Sequence, residues 1–209
     1  MRSEEETYTG VRIMASRLRG MTDGAQPTMR RDAVRNRERL LAAARVVFAE
    51  RGADVALEEV ARLAVVSRTT LYRHFTTREQ LAATVFEENV ALIERRAVEL
   101  READDGIVTL FDFVLDQQRA NRGFERMLSA ADLSWLSELS TRTIAAFEPL
   151  LVRGRAAGIV HPVVGVDDVM LAFPMAAGAM ADSDLAGRPE AADRVRAMLH
   201  RALFTGAAG

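Results

Sequence analysis

The chain has 209 residues, 49% of them apolar, and a formal net charge of −2 from 28 Arg and 30 acidic residues, with neither Lys nor Cys. This is enough apolar material for one large or two modest domains. The missing Cys excludes a disulfide framework and thiol chemistry and fits a reducing cytoplasm. No apolar run approaches the roughly eighteen residues of a membrane span, and the acidic start Met1-Arg2-Ser3-Glu4-Glu5-Glu6 does not read as a secretory leader.

Residues 1–27 mix Thr, Gly, Gln, Pro and charge without period and read as a flexible tail. Its Arg12, Arg17 and Arg19 could brush phosphate or a minor groove, although a plain disordered leader is the simpler reading.

Residues 28–81 carry the densest signal. A first helix from Arg31 to Arg51 has Leu40, Leu41, Ala44, Val47 and Phe48 as its apolar stripe and Gly52 as its stop. Next, Leu57, Val60, Ala61 and Ala64 fall at helical intervals and leave Glu58, Glu59 and Arg62 toward water. Ser67 offers a hydroxyl to the first free N–H groups of a further helix, with Val66 and Leu71 at the staple positions on either side. That helix starts at Arg68. Leu71 and Phe75 lie four apart and face inward, so Arg68, Thr69, Tyr72 and Arg73 face outward. Such a face suits a major groove: Arg grips guanine through two hydrogen bonds, Thr touches a thymine methyl, and Tyr and Arg hold phosphates. Thr77-Arg78-Glu79-Gln80 then has the spacing of a capping box and opens a long helix to about Glu102, which joins the two parts of the chain.

Beyond it, segments 106–121, 124–130, 132–157, 166–182 and 189–205 show helical spacing or stop signals. Gly158, Ile159 and Pro162 end the third of these, and Pro149 is expected to kink it. No alternating pattern of useful length occurs, so the fold class is all-α. Ala172, Ala176, Ala177, Gly178 and Ala179 allow close helix approach. Ala192, Val195, Met198, Leu199, Ala202 and Leu203 form a stripe at spacings of three and four. These stripes read either as surfaces for a second copy or as pieces of the chain's own core. His74, His161 and His200 are scattered, and there is no Gly-rich phosphate loop, Cys nucleophile or serine elbow. No catalytic set, metal site or cofactor is expected.

Charge is unevenly placed. Residues 28–81 hold eleven Arg against seven acids, whereas 82–209 hold thirteen against nineteen. A positive end and a negative remainder would orient the molecule on approach to DNA.

At these residues the chain resembles the TetR family of bacterial transcriptional regulators. The resemblance runs from the helix Arg31 to Arg51, ending Phe48-Ala49-Glu50-Arg51-Gly52, through Leu57 to Ala64, to Leu71-Tyr72-Arg73-His74-Phe75 and Thr76-Thr77-Arg78-Glu79-Gln80-Leu81. The rest is similar in length and layout. The resemblance implies an N-terminal three-helix helix-turn-helix domain over 28–81 and a larger C-terminal helical ligand-binding and dimerisation domain over 82–209. It implies double-stranded operator DNA, a small-molecule ligand and a second copy as partners, with no membrane. Ser67, Arg68, Thr69, Thr70, Tyr72, Arg73, His74 and Arg78 are the expected DNA-binding set, His74 being as well placed to close its helix as to touch phosphate. An apolar or amphipathic ligand would sit among Phe86, Phe111, Phe113, Gln117, Gln118, Asn121, Met127, Trp135, Phe147 and Phe173. Ala172, Ala176, Val195, Met198, Leu199 and Ala202 are the expected dimer contacts.

Two positions depart from the family pattern. Val65 stands where Gly is usual, and a left-handed backbone there would cost a β-branched residue roughly 1–2 kcal/mol. Either the turn avoids positive φ or it is strained. Val55 and Ala56 stand where the second helix usually opens with Ser or Thr, leaving Asp54 as the nearest capping oxygen. The function expected is a ligand-responsive, sequence-specific repressor. A sequence-tolerant DNA-coating protein and a helical carrier or enzyme with a vestigial reader are the alternatives, and competition with random DNA separates the three.

Overall fold

The structure, a computed structural model, describes residues 25–51, 55–120, 134–181 and 190–206. Among these it forms eight helices: α1 (Ala25–Arg51), α2 (Leu57–Leu63), α3 (Arg68–His74), α4 (Arg78–Glu99), α5 (Gly106–Ala120), α6 (Ser134–Ala156), α7 (Val166–Ala181) and α8 (Ala191–Leu203). No strand occurs among the described residues. A lone antiparallel bridge pairs Val160 with Phe204, where His161 N–H donates to Leu203 O (3.1 Å) and Thr205 N–H to Ile159 O (2.8 Å). The all-α expectation holds.

Two boundaries differ from those expected. α1 already begins at Ala25, inside the stretch read as tail. Pro27 does not prevent this, because first-turn N–H groups have no intrahelical acceptor to lose. α4 stops at Glu99 rather than near Glu102. There Leu100 N–H donates to Arg96 O (3.1 Å) and Arg101 N–H to Val98 O (3.4 Å), tightening the last turn. Pro149 lies inside α6, which continues to Ala156. Gly52, Asp54 and the segment 124–130 lie outside the described residues.

The apolar side chains form two cores. The first gathers Leu40, Leu41, Ala44, Val47 and Phe48 of α1 with Leu57, Val60 and Ala61 of α2, Leu71 of α3, and Phe75, Leu81, Ala82 and Val85. The second joins Ile93 and Ala97 of α4 to Ile107, Leu110 and Phe111 of α5, Phe147 and Leu150 of α6, Phe173 of α7, and Leu199 and Leu203 of α8. α4 therefore belongs to both, and its core membership changes between Phe86 and Ile93. At the crossing of α5 and α6 a Cβ on Gly154 would lie 2.7 Å from Ile107 Cγ2, so the helices approach as closely as they do because no side chain intervenes.

Ion pairs fix α4 on both sides. From α1, Arg37 Nη1 donates to Glu88 Oε1 (3.0 Å) and Arg45 Nη2 to Glu88 Oε2 (3.1 Å). From α6, Arg142 grips Glu94 with a two-pronged contact (Nε to Oε1 2.8 Å, Nη2 to Oε2 2.7 Å) and reaches Glu87 (2.5 Å). The Glu94 carboxyl is held below its ordinary pKa, chiefly by the Arg142 hydrogen bond. Pairs this exposed add little stability, but the fork geometry fixes orientation.

Candidate nucleic-acid interface and cavity

The turn between α2 and α3 sets how the reader helix is presented. Val66 N–H donates to Ala61 O (3.0 Å) and Val65 N–H to Arg62 O (3.3 Å), the bonding pattern of a Schellman motif. Its left-handed position falls on Val65, with φ 56°. The same motif ends α6, where Ile159 N–H donates to Gly154 O (2.8 Å), Gly158 N–H to Arg155 O (3.0 Å), and the left-handed residue is Gly158 at φ 72°. Of the two alternatives at Val65, the strained turn is the one found. Val65 is also 83% exposed, so packing does not offset its strain.

Ser67 caps α3 as expected: its Oγ accepts from Thr70 N–H at 3.1 Å and lies 2.9 Å from Thr70 Oγ1. Val66 packs on the first core and Leu71 is fully buried beneath it. α2 has no such cap. Its N-cap is Ala56 without a side-chain bond, and Glu58 and Glu59 in the first turn complement the helix dipole instead. Arg68, Thr69, Tyr72 and Arg73 are exposed along α3, while Leu71 and Phe75 are buried. Ser67 is exposed, and Thr70 and Arg78 are half-buried. Thr77 Oγ1 accepts from Gln80 N–H (3.1 Å), and Gln80 Oε1 accepts from Thr76 N–H (2.9 Å), one residue earlier than a standard capping box would place it.

Sequence reasoning left Glu58 in solvent. In fact its Oε1 accepts from Tyr72 Oη at 2.8 Å and pairs with Arg68 Nη2 at 2.6 Å, while the Arg68 guanidinium lies 5.7 Å from the Tyr72 ring centroid. The Glu58 carboxyl is held below its ordinary pKa, first by Tyr72, then by its own backbone N–H and by Arg68 and Arg78. Two outward side chains of the reader helix thus share one carboxylate oxygen. Spacing alone could not reveal this, because the pairing depends on the angle between α2 and α3.

His74 is half-buried, and its Nε2 has no hydrogen-bond partner among the described residues. Burial, then Arg73 and Arg37, lower its pKa. Arg37 also stacks 6.0 Å from the Phe75 ring centroid, fixing α3 to α1.

In the C-terminal part, a cavity of about 420 Å³ opens between α4, α5, α6 and α7. Of the residues named for a ligand pocket, Phe86, Gln117, Gln118 and Phe173 line this cavity. Phe111 and Phe147 do not, for they pack against Phe173 in the core (5.2 and 5.6 Å between centroids). Phe113 packs on the same core. Asn121, Met127 and the Trp135 side chain lie outside the described residues. Sequence reasoning missed Asn89, Ser140, Thr143 and Met170. Asn89 was detectable, being the one amide in the otherwise apolar stripe Val85, Phe86, Val90, Ile93 of α4.

The expected dimer contacts need correction. Ala172, Ala176 and Leu199 are buried in the chain's own second core, and Val195 packs against it, so these four complete the fold rather than form a surface. Of the α8 stripe, Leu199 and Leu203 face inward and Val195 is partly buried against the core. Met198 and Ala202 are exposed, and with them Leu171 and Met175, which sequence reasoning did not place among the dimer contacts.

No helix among the described residues is long and apolar enough to cross a membrane, and no cluster of three or more potential metal ligands occurs among them. The sequence model of the family described as "Bacterial regulatory proteins, tetR family" matches residues 40–85. Among solved structures, the chain is similar to a TetR transcription regulatory protein from Mycobacterium vanbaalenii, at 26% identity over 85% of this chain and 99% of that one, with a TM-score of 0.64. It is similar to a TetR transcriptional regulator from Streptomyces coelicolor, again at 26% identity, over 82% of this chain and 99% of that one, TM-score 0.63. It shares its fold with reduced NemR of E. coli at 20% identity, over 83% and 100%, TM-score 0.60. No curated protein matches it.

Proposed function

We propose, because the chain belongs to the TetR family of bacterial transcriptional regulators, that it represses transcription in the cytoplasm by placing α3 of two copies on a palindromic operator and is released by a small molecule. The observation that carries this reading is α3 itself: a capped, buried-side-anchored helix with Arg68, Thr69, Tyr72 and Arg73 outward. Arg68 and Thr69 at its start suit base edges; Tyr72, Arg73 and Arg78 suit phosphates. One seven-residue helix would bind weakly, and two held roughly 34–36 Å apart engage successive turns of a duplex. Leu171, Met175, Met198 and Ala202 form the face we assign to the second copy.

Release follows from α4. A guest in the cavity touches Phe86 and Asn89, and the same helix carries Leu81, Ala82 and Val85 into the reader's core. A ligand that favours one tilt of α4 shifts the population of reader spacings. The test is competition binding between the duplex flanking the chain's own gene and random duplex. Preference for the flanking sequence, centred on an inverted repeat, supports the reading. Equal affinity for both makes the chain a DNA-coating protein, and no binding to either makes the reader vestigial.

A further inference from the structure

Two residues that line the cavity each carry an amide oxygen with no hydrogen-bond partner among the described residues: Asn89 Oδ1 on α4 and Gln118 Oε1 on α5. Both atoms are buried, and Asn89 as a whole is only 8% exposed. A buried acceptor left unpaired is costly, so such groups in native folds are nearly always satisfied. The remaining lining among the described residues is apolar (Val90, Ile93, Val114, Met170 and Phe173 among it) or uncharged polar, with no Arg, Asp or Glu among those residues. The Thr143 hydroxyl, also on the wall, already donates to Leu139 O at 2.8 Å and does not supply the missing donor.

We infer that the cavity takes a neutral, largely apolar small molecule bearing at least one hydroxyl or N–H donor, and that Asn89 and Gln118 are the acceptors that select it. A charged guest would have to shed its hydration with no counter-charge among the described lining residues. A donor-free guest of the same shape would displace water and leave both oxygens unpaired, weakening binding on the order of tenfold per acceptor. The volume of about 420 Å³ is that of a site for a drug-sized molecule. The inference rests on the cavity being the effector site of the proposed function.

Calorimetric titration of the full chain with bisphenol A, its bis-methyl ether and diphenate separates the possibilities. The expected result is binding of bisphenol A, binding of the ether weaker by about tenfold or more, and none of the dianion. Asn89→Leu and Gln118→Met should each narrow the gap between diol and ether while leaving the ether's own affinity unchanged or improved. If Asn89→Leu fails to fold, Gln118→Met on the half-buried α5 position carries the test. Equal binding of diol and ether in the unaltered chain, or an undiminished gap in a folded variant, overturns the donor requirement and leaves the cavity reading standing. Preferred binding of diphenate overturns neutrality. Binding of none of the three overturns the cavity reading together with the inference.

Discussion

Val65 and Gly158 hold equivalent positions in two copies of one motif, and only one of them is suited to it. Val65→Gly relieves the left-handed penalty of roughly 1–2 kcal/mol, offset in part by the greater freedom of Gly in the unfolded chain. A net gain of about 1 kcal/mol should raise Tm by about 2–4 °C, and Gly158→Val should lower it, both read by circular dichroism melting. An unchanged Tm for Val65→Gly would mean that the turn relaxes at no cost. Arg68 is 73% exposed at the side chain, yet it is held by Glu58. Arg68→Ala should cost about 1–3 kcal/mol on the preferred site and relax choice at one base pair; an equal loss on random DNA would reassign it to phosphate. Glu58→Gln should do the reverse, tightening binding to random duplex because a carboxylate near the phosphates is removed and Arg68 is freed, so that the ratio of specific to random affinity falls in anisotropy titrations. The pH dependence has a definite sign. The Glu58 pKa is lower folded than unfolded, so this pairing is intact above the ordinary carboxylate range and is lost only as pH falls through the folded value, leaving neutral-pH binding insensitive to it.

Among the elements, α4 matters most because two cores share it. Leu81 is fully buried in the first core, and Leu81→Ala should cost about 2–5 kcal/mol. With an unbroken helix running between the cores, the expected melt is a single shifted transition by calorimetry and by circular dichroism alike. Two separated transitions would show the cores to be independent. The helices themselves were largely legible in the sequence, since periodicity reports which side chains are buried: the stripe Leu40, Leu41, Ala44, Val47, Phe48 and the pair Leu71, Phe75 are all buried as spaced. What periodicity cannot report is the neighbour. Ala172, Ala176 and Leu199 were correctly read as packing residues, but the burying partner is the same chain. Glu58 was correctly placed on the polar side of α2, but its partners come from another helix. Phe111 and Phe147 have the composition of a pocket wall and the position of a core, and only the third dimension separates the two.

For the whole molecule, the basic reader segment and acidic remainder predict binding that weakens steeply with salt, since phosphate contacts release counterions. Met198 and Met175 are exposed on the last two helices. Met198→Glu should leave the melting temperature nearly unchanged, give a monomer in sedimentation velocity, and reduce operator affinity on the order of a hundredfold through lost bivalency. A Met198→Glu protein that stays dimeric would move the association face elsewhere. Glu88 is held by Arg37 and Arg45, two grips eight residues apart on α1, and this has a mechanical consequence. If both grips hold during the release we propose, α1 and the first turns of α4 move together, and the 22-residue helix acts as a lever about 33 Å long. Swinging such a lever by about five degrees carries its tip about 3 Å, nearly one base-pair step along a duplex. In the proposed release, a tilt this slight beside the cavity would therefore be felt at the duplex as most of a base-pair step.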